Sequence, residues 1–421
     1  MERAICILLL VGAVFCRHEK YEGHQLYLVS GNAHEFESLE SRIDFLSKSV
    51  PNPGILEILL RLAPHEKNYW LHYFNERDMK YQLIAENLAD VIRDEELKLS
   101  AQKAKATSSN NSMSWDRYYN YREINDYLDS LGAKYPEVLT VINAGLSFEG
   151  RQIKYVRIST SRFEELSKPV IVIEAAAHAR EWVTAPVALY LIHKLVVNVT
   201  DRDLVENFDW VIIPMVNPDG YDYSMKEDRM WRNTRSTNHP GGARCPGVDA
   251  NRNFDFEFGS LGSGSDDPCK FIAYEGPSPF SEPETKVVRD AVYQHLNKIK
   301  LYISAHSFGN LVLYSWGNNG TLPSNGLMMH TAGVRMAQAM DELKLPQARS
   351  YIVGNAAKVI YRTTGTSMDW SRAIGIPLTY ALELPGYMYA FMLPPEYLDH
   401  VVVETYAGLA AGARYARSIY N

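Results

Sequence analysis

Two short apolar runs, residues 169–176 and 301–305, each lead to a histidine. Runs of this length, rich in branched and aromatic side chains, read as buried strands rather than helices. The first continues into Ala177-His178-Ala179-Arg180-Glu181-Trp182, and the second ends Ser304-Ala305-His306. Carboxyl ends of strands are where open α/β sheets build their sites. Two imidazoles and one carboxylate arriving there make a catalytic zinc set, with the fourth position left for water. The candidate ligands are therefore His178, Glu181 and His306, for one zinc ion per chain. Function turns on whether the fold brings these three together.

The His-x-x-Glu spacing by itself carries little weight. With 12 His and 50 acidic residues in 421, composition alone supplies about one such pair. Context adds to it, because the pair sits between an apolar strand and an apolar helix. From Trp115 onward the pattern alternates. Strands are expected at 139–145, 154–159, 170–176, 210–216, 300–305 and 378–384. Helices are expected at 121–131, 186–197, 282–296, 327–343 and 395–419, the third opened by a capping box of Ser281 with Glu284. This alternation implies an α/β fold, a mixed central sheet with helices on both faces.

A zinc site of this kind needs a base for its bound water. Glu383, at the end of the apolar strand 378–384, is the candidate, since a carboxylate in such company is usually paired or functional. The bland alternative is a rim carboxylate in a salt bridge. Arginines cluster in Arg229-Met230-Trp231-Arg232 and around Arg252. Guanidinium groups grip carboxylates and stabilise oxyanions, and the adjacent Trp231 and Phe254 argue against plain surface loops. The stretch 217–221 reads as a structural turn.

The first hundred residues are different in character. Residues 4–16 form an apolar run behind Arg3, too short to span a bilayer and similar to a signal-peptide core. A strand at 25–30 and a helix at 35–47 follow. Residues 55–62 and 69–74 are short strand or helix candidates, 81–86 is a strand and 88–97 an acidic helix. Reading 69–74 as a strand leaves little room for a second long helix before 81–86. Residues 101–114 are rich in Lys, Ala, Ser and Asn, an exposed linker with trypsin-type sites at Lys103 and Lys105. A folded segment, a cleavable linker and a large domain is the layout of a zymogen; a constitutive two-domain protein is the alternative.

Cys6 and Cys16 leave with the signal peptide. Cys245 and Cys269 remain, and in an oxidising compartment a disulfide between them is the default. Asn110, Asn198 and Asn319 head glycosylation tripeptides. A net charge of −7 with both signs dispersed argues against a nucleic-acid surface, and no later run has transmembrane length.

These motifs, in this order, resemble the zinc metallocarboxypeptidases, specifically the secreted, digestive carboxypeptidase A-like type made as a procarboxypeptidase. The resemblance runs from about Trp115 to Tyr420, more loosely over the pro-segment. Besides the ligand motifs, it rests on residues 217–221, 229–235, 247–254, 280–284, Ile360-Tyr361 and Ser367-Met368-Asp369-Trp370. It implies a small α+β ferredoxin-like pro-domain before the catalytic domain. The implied division is signal peptide 1–16, pro-segment 17–105, linker 106–114 and catalytic domain 115–421. It further implies that His178, Glu181 and His306 bind zinc and that Arg232 polarises the scissile carbonyl. Asn251, Arg252 and Tyr361 would hold the substrate's terminal carboxylate, Glu383 would activate water, and Arg180 would help line the cleft. The expected partners are peptides or proteins with a free C-terminus and an activating trypsin-like protease. The protein is expected to be a secreted monomer without nucleic-acid or membrane partners.

The resemblance also implies that the floor of the side-chain pocket falls at Met368, apolar and adaptable, with Leu313, Gly317, Ala356, Ile360, Thr363, Thr366 and Ala381 around it. Aliphatic or aromatic C-terminal residues are the expected substrates. Phe308 stands where the family commonly has Tyr. Two other readings remain: a catalytically silent peptide-binding homologue, opposed by the presence of every ligand and the base, and a basic-specific carboxypeptidase, opposed by Met368. A zinc endopeptidase lacks support because there is no His-Glu-x-x-His run.

Overall fold

The computed structural model describes residues 18–420 apart from 38, 40, 41, 53, 107–112, 261–266, 270–272 and 388. The expected signal peptide and Asn110 lie outside these residues.

The N-terminal unit comprises β1 (Gln25–Asn32), α1 (Ala33–Glu37), β2 (Asp44–Asn52), β3 (Ile55–Leu62), α2 (Lys67–Glu76), β4 (Lys80–Ala85) and α3 (Leu88–Ala106). Its four strands form an antiparallel sheet in the order β2-β3-β1-β4. This is the ferredoxin-like arrangement expected of the pro-domain. Two expectations here are corrected. Residues 69–74 lie within a helix, because Trp70 and Phe74, one turn apart, both bury against the sheet. That helix fills the place thought too small for it. The expected helix 35–47 ends at Glu37, and β2 starts at Asp44 because pairing with β3 takes Asp44 and Phe45 into the sheet. The first part of the expected linker is also helical, since α3 runs to Ala106.

The second unit opens with α4 (Tyr121–Lys134), β5 (Leu139–Leu146), β6 (Gln152–Ile158), β7 (Val170–Ala175), α5 (Thr184–Val196), α6 (Arg202–Glu206), β8 (Asp209–Ile213) and α7 (Pro218–Lys226). It continues with α8 (Pro283–Tyr293), β9 (Ile299–Ser307), β10 (Leu311–Tyr314), α9 (Gly326–Asp341), β11 (Ile352–Asn355), α10 (Ala356–Val359), α11 (Ser367–Ala373), β12 (Leu378–Leu384) and α12 (Leu398–Tyr420). Eight strands make one mixed sheet, β11-β10-β12-β9-β7-β8-β6-β5. The central strands β12, β9, β7 and β8 are parallel.

Both faces of this sheet are covered. Ile171, Ile173, Leu301, Ile303 and Ile212 pack on one side, and Val170, Val172, Tyr302, Val211 and Ile213 on the other. Burial on both faces is why the central strands appear as continuous apolar runs. Gly408 and Gly412 of α12 let that helix close on α9, since a Cβ at Gly408 would lie 2.6 Å from Met340. The short strands β10 and β11 were not anticipated. The expected capping box is absent as well. Pro283 takes the first helical position, Glu282 becomes the N-cap, and Ser281 Oγ instead donates to Glu282.

The two units meet through an apolar cluster that joins Leu46, Leu88 and Ile92 of the first to Met230, Phe391 and Met392 of the second. Buried polar contacts flank it. Arg229 Nε donates to Glu95 at 2.6 Å, and Tyr21 donates to Asp228 at 2.6 Å.

Candidate active site

His178 and Glu181 sit in the turn that leaves β7. Ala176, with φ of 54°, reverses the chain there. Thr184 ties the turn shut: its hydroxyl accepts from the Ala176 amide and donates to the Glu181 carbonyl. Asn217, at the N-terminus of α7, donates to the carbonyls of Ala177 and Asn233. The stretch read as a structural turn thus begins a helix and joins the ligand loop to the arginine loop.

His306 arrives from the neighbouring strand. β7 and β9 run parallel with Ala175 beside Ala305, so both strands deliver their histidines at one end of the sheet. Glu181 lies 2.8 Å from His178 Nδ1 through one oxygen and 3.1 Å from His306 Nδ1 through the other. The two Nδ1 atoms face each other at 3.1 Å. All three residues are buried, with one ligand atom from each within 4.8 Å of the others. Two imidazole nitrogens and a carboxylate oxygen converging on one point are the donor set of a catalytic zinc. Burial would push Glu181 up, but the two imidazoles more than offset it and hold the carboxyl below its ordinary range.

The next strand supplies Glu383. In the parallel pairing of β12 with β9, Glu383 lies directly beside His306. Register alone therefore places the expected base next to a ligand. On the opposite flank, Asp249 accepts from His178 Nε2 at 3.1 Å and from Arg232 Nε at 2.9 Å. Burial would raise Asp249, and the charges of Arg232, His178 and Arg252 outweigh it, so it stays well below the carboxylate range. A carboxylate behind a ligating histidine fixes the ring's tautomer and orientation. Arg232 Nη1 stands 3.7 Å from Glu181. Asn251, Arg252, Tyr361 and Met368 line the same cleft as the triad and Glu383. Met368 is buried with Leu311, Leu313 and Ala356, with Ile360 and Ala381 packed against them.

The Zinc carboxypeptidase family (Peptidase_M14) matches residues 124–408. The chain belongs to this family. It is a zinc-dependent hydrolase that acts at peptide C-termini. It is 41% identical to "Carboxypeptidase B" of Helicoverpa zea, covering 99% of both chains. It is 32% identical to "Carboxypeptidase A2" of Mus musculus, covering 98% of both. The crystal structure of the carboxypeptidase A from Helicoverpa armigera superposes with a TM-score of 0.89 at 39% identity, over 96% of this chain and 100% of that one.

In this carboxypeptidase the N-terminal unit borders the cleft. Phe45 and Leu46 of β2 line it beside the triad. Asp44 accepts from Arg180 Nη1 at 3.0 Å, and the Phe45 carbonyl accepts from Arg180 Nη2 at 3.3 Å. Arg180 borders the cleft but is only 1% exposed, covered by β2 of the N-terminal unit. Burial pushes Asp44 up, and Arg180 and Arg61 more than reverse that, leaving it below its ordinary value. Cys245 and Cys269 are joined, as expected. Asn198 and Asn319 are exposed.

Two participants escaped the sequence reading. Asp249 lies 71 residues from His178, in a loop where any acid is unremarkable from spacing alone. Asp44 fell inside a stretch taken for a helix.

Proposed function

We propose that this zinc carboxypeptidase is secreted as a monomeric zymogen and removes aliphatic or aromatic residues from peptide C-termini. The observation that carries the specificity is the pocket floor: Met368 buried among Leu311, Leu313 and Ala356. An apolar floor rewards burial of apolar side chains and offers no counter-charge to a lysine or arginine.

Bound zinc supplies a Lewis acid that polarises a carbonyl and acidifies a water. Glu383 takes the water's proton and hands it to the leaving amine. Arg232 donates to the developing oxyanion. Asn251, Arg252 and Tyr361 grip the terminal carboxylate, which restricts cleavage to the last residue. Arg180 joins the cleft wall once Asp44 has left. His178, Glu181 and His306 would hold the ion, and Asp249 would orient His178.

The zymogen reading rests on the ion pair of Asp44 with Arg180 and on Phe45 and Leu46 in the cleft. Cleavage at Lys103 or Lys105 by a trypsin-like protease falls in the last turns of α3, so those turns open first.

The test is direct. After trypsin treatment, the protein releases Phe or Leu from an N-blocked dipeptide faster than Lys or Arg, and a chelator abolishes release. Faster release of Lys or Arg overturns the specificity in favour of a basic-specific enzyme. Absent or chelator-insensitive release overturns the enzymatic reading.

A further inference from the structure

One buried carboxylate beneath the site has no role in the chemistry above. Glu174 is in β7, just upstream of His178, and is 1% exposed. On that face of the sheet it sits among Val170, Val172 and Tyr302, close enough to Tyr302 that its charge helps burial push the phenol's pKa up. Among the described residues it forms no salt bridge, and its Oε2 has no hydrogen-bond partner. A valine would pack there without the desolvation cost of a buried carboxylate. What Glu174 does have is a short hydrogen bond: Ser367 Oγ donates to its Oε1 at 2.5 Å.

Ser367 is a junction. It is the first residue of α11, directly before Met368 of the pocket floor. Its backbone N–H donates to Asn251 Oδ1 at 2.9 Å. That bond fixes which way the Asn251 amide faces, and the Asn251 Nδ2 atom lies 3.1 Å from His306 Nε2. One carboxylate on the zinc-bearing strand thus anchors the start of the helix that carries the pocket floor, and through it an arm of the carboxylate clamp. We propose that Glu174 is a positioning residue for recognition of the substrate's C-terminal residue, acting through Ser367 on Asn251 and Met368. This rests on the clamp and pocket assigned above.

The experiment uses the full chain, activated with trypsin, and the N-blocked Phe dipeptide. Glu174→Leu and Ser367→Ala should each raise KM about tenfold with kcat within about twofold, the pattern of lost uniform binding. The inhibition constant of free phenylalanine should rise in parallel. Because both variants break the same link, the double variant should be no worse than the worse single one. Glu174→Gln keeps a carbonyl that accepts from Ser367 and should bring KM back to within about threefold of wild type. An unchanged KM in Ser367→Ala, a fall in kcat at constant KM, or effects that multiply in the double variant would overturn the positioning role. Wild-type protein that releases nothing instead overturns the reading on which it rests.

Discussion

The two sheets of this chain obey different rules. The eight-stranded sheet is buried on both faces, and its central parallel strands β7, β9 and β12 lead to the metal-binding triad and to Glu383. The four-stranded sheet has its own small core, and its edge strand β4 is largely exposed. It contributes no zinc ligand or base. It does contribute Asp44, the first residue of β2, which reaches the buried Arg180. The lesson is a division of labour. The doubly covered sheet fixes a site by register, whereas the small sheet borders that site through the buried Asp44–Arg180 pair and the apolar Phe45 and Leu46. Their charges are managed differently too. Glu181 is held ionised by two imidazoles, Asp44 by Arg180 and Arg61.

If that division is right, chemistry and access separate under mutation. The largest effect is expected from Glu383→Gln, which removes the base beside His306. Turnover by the activated enzyme should fall about 10²–10⁴-fold, while zinc content and binding of the severed pro-segment stay as in wild type. Loss of pro-segment binding would break the comparison. A smaller effect follows from Asp44→Ala. Removing one partner of a buried pair costs about 3–5 kcal/mol. The uncleaved protein should therefore hydrolyse the small blocked dipeptide at least about tenfold faster than the uncleaved wild type. After trypsin removes the pro-segment, the two enzymes should be indistinguishable. An uncleaved variant as silent as wild type would shift the burden of inhibition to Phe45 and Leu46.

The smallest effect concerns the large sheet's own surroundings. Glu284 of α8 is buried, and burial, aided by Glu282, pushes its carboxyl up to about 8. A carboxyl raised above its unfolded value holds its proton when folded and loses it when unfolded. Its contribution is present below the unfolded value and is lost as pH rises through about 8. Glu284→Gln should flatten this dependence, raising Tm by a few degrees at pH 8 relative to wild type and by less at pH 5. Parallel Tm curves for the two proteins would sink the assignment.

Legibility in the sequence followed burial. Strands β7, β9 and β12 were readable because apolar residues fill both of their faces, and β12 was placed to the residue. Strands β10 and β11 are short, and nothing local distinguishes them from loop. In the small sheet, half-exposed strands left residues 35–47 misassigned, and a short helix that buries Trp70 and Phe74 left 69–74 undecided between strand and helix. Pairing with β3 and docking on the sheet, rather than propensity, decided those segments.

The same boundary runs through the site. His178, Glu181, His306 and Glu383 were identifiable because each follows or ends a strong apolar strand, so local chemistry and periodicity already pointed to them. Asp249, Asp44 and Glu174 were not, because each acquires its meaning from a partner far along the chain. The sequence by itself pointed to the donor set, a candidate base and the α/β class, since these depend on side-chain type and on periods of a few residues; Met368 as pocket floor came from the family resemblance. Tertiary structure alone decided that Glu383 lies beside His306, that Asp249 backs His178 and that Asp44 seals Arg180. Strand register and domain docking arise from chain closure over long separations, and no local pattern encodes which distant residues that closure will bring together.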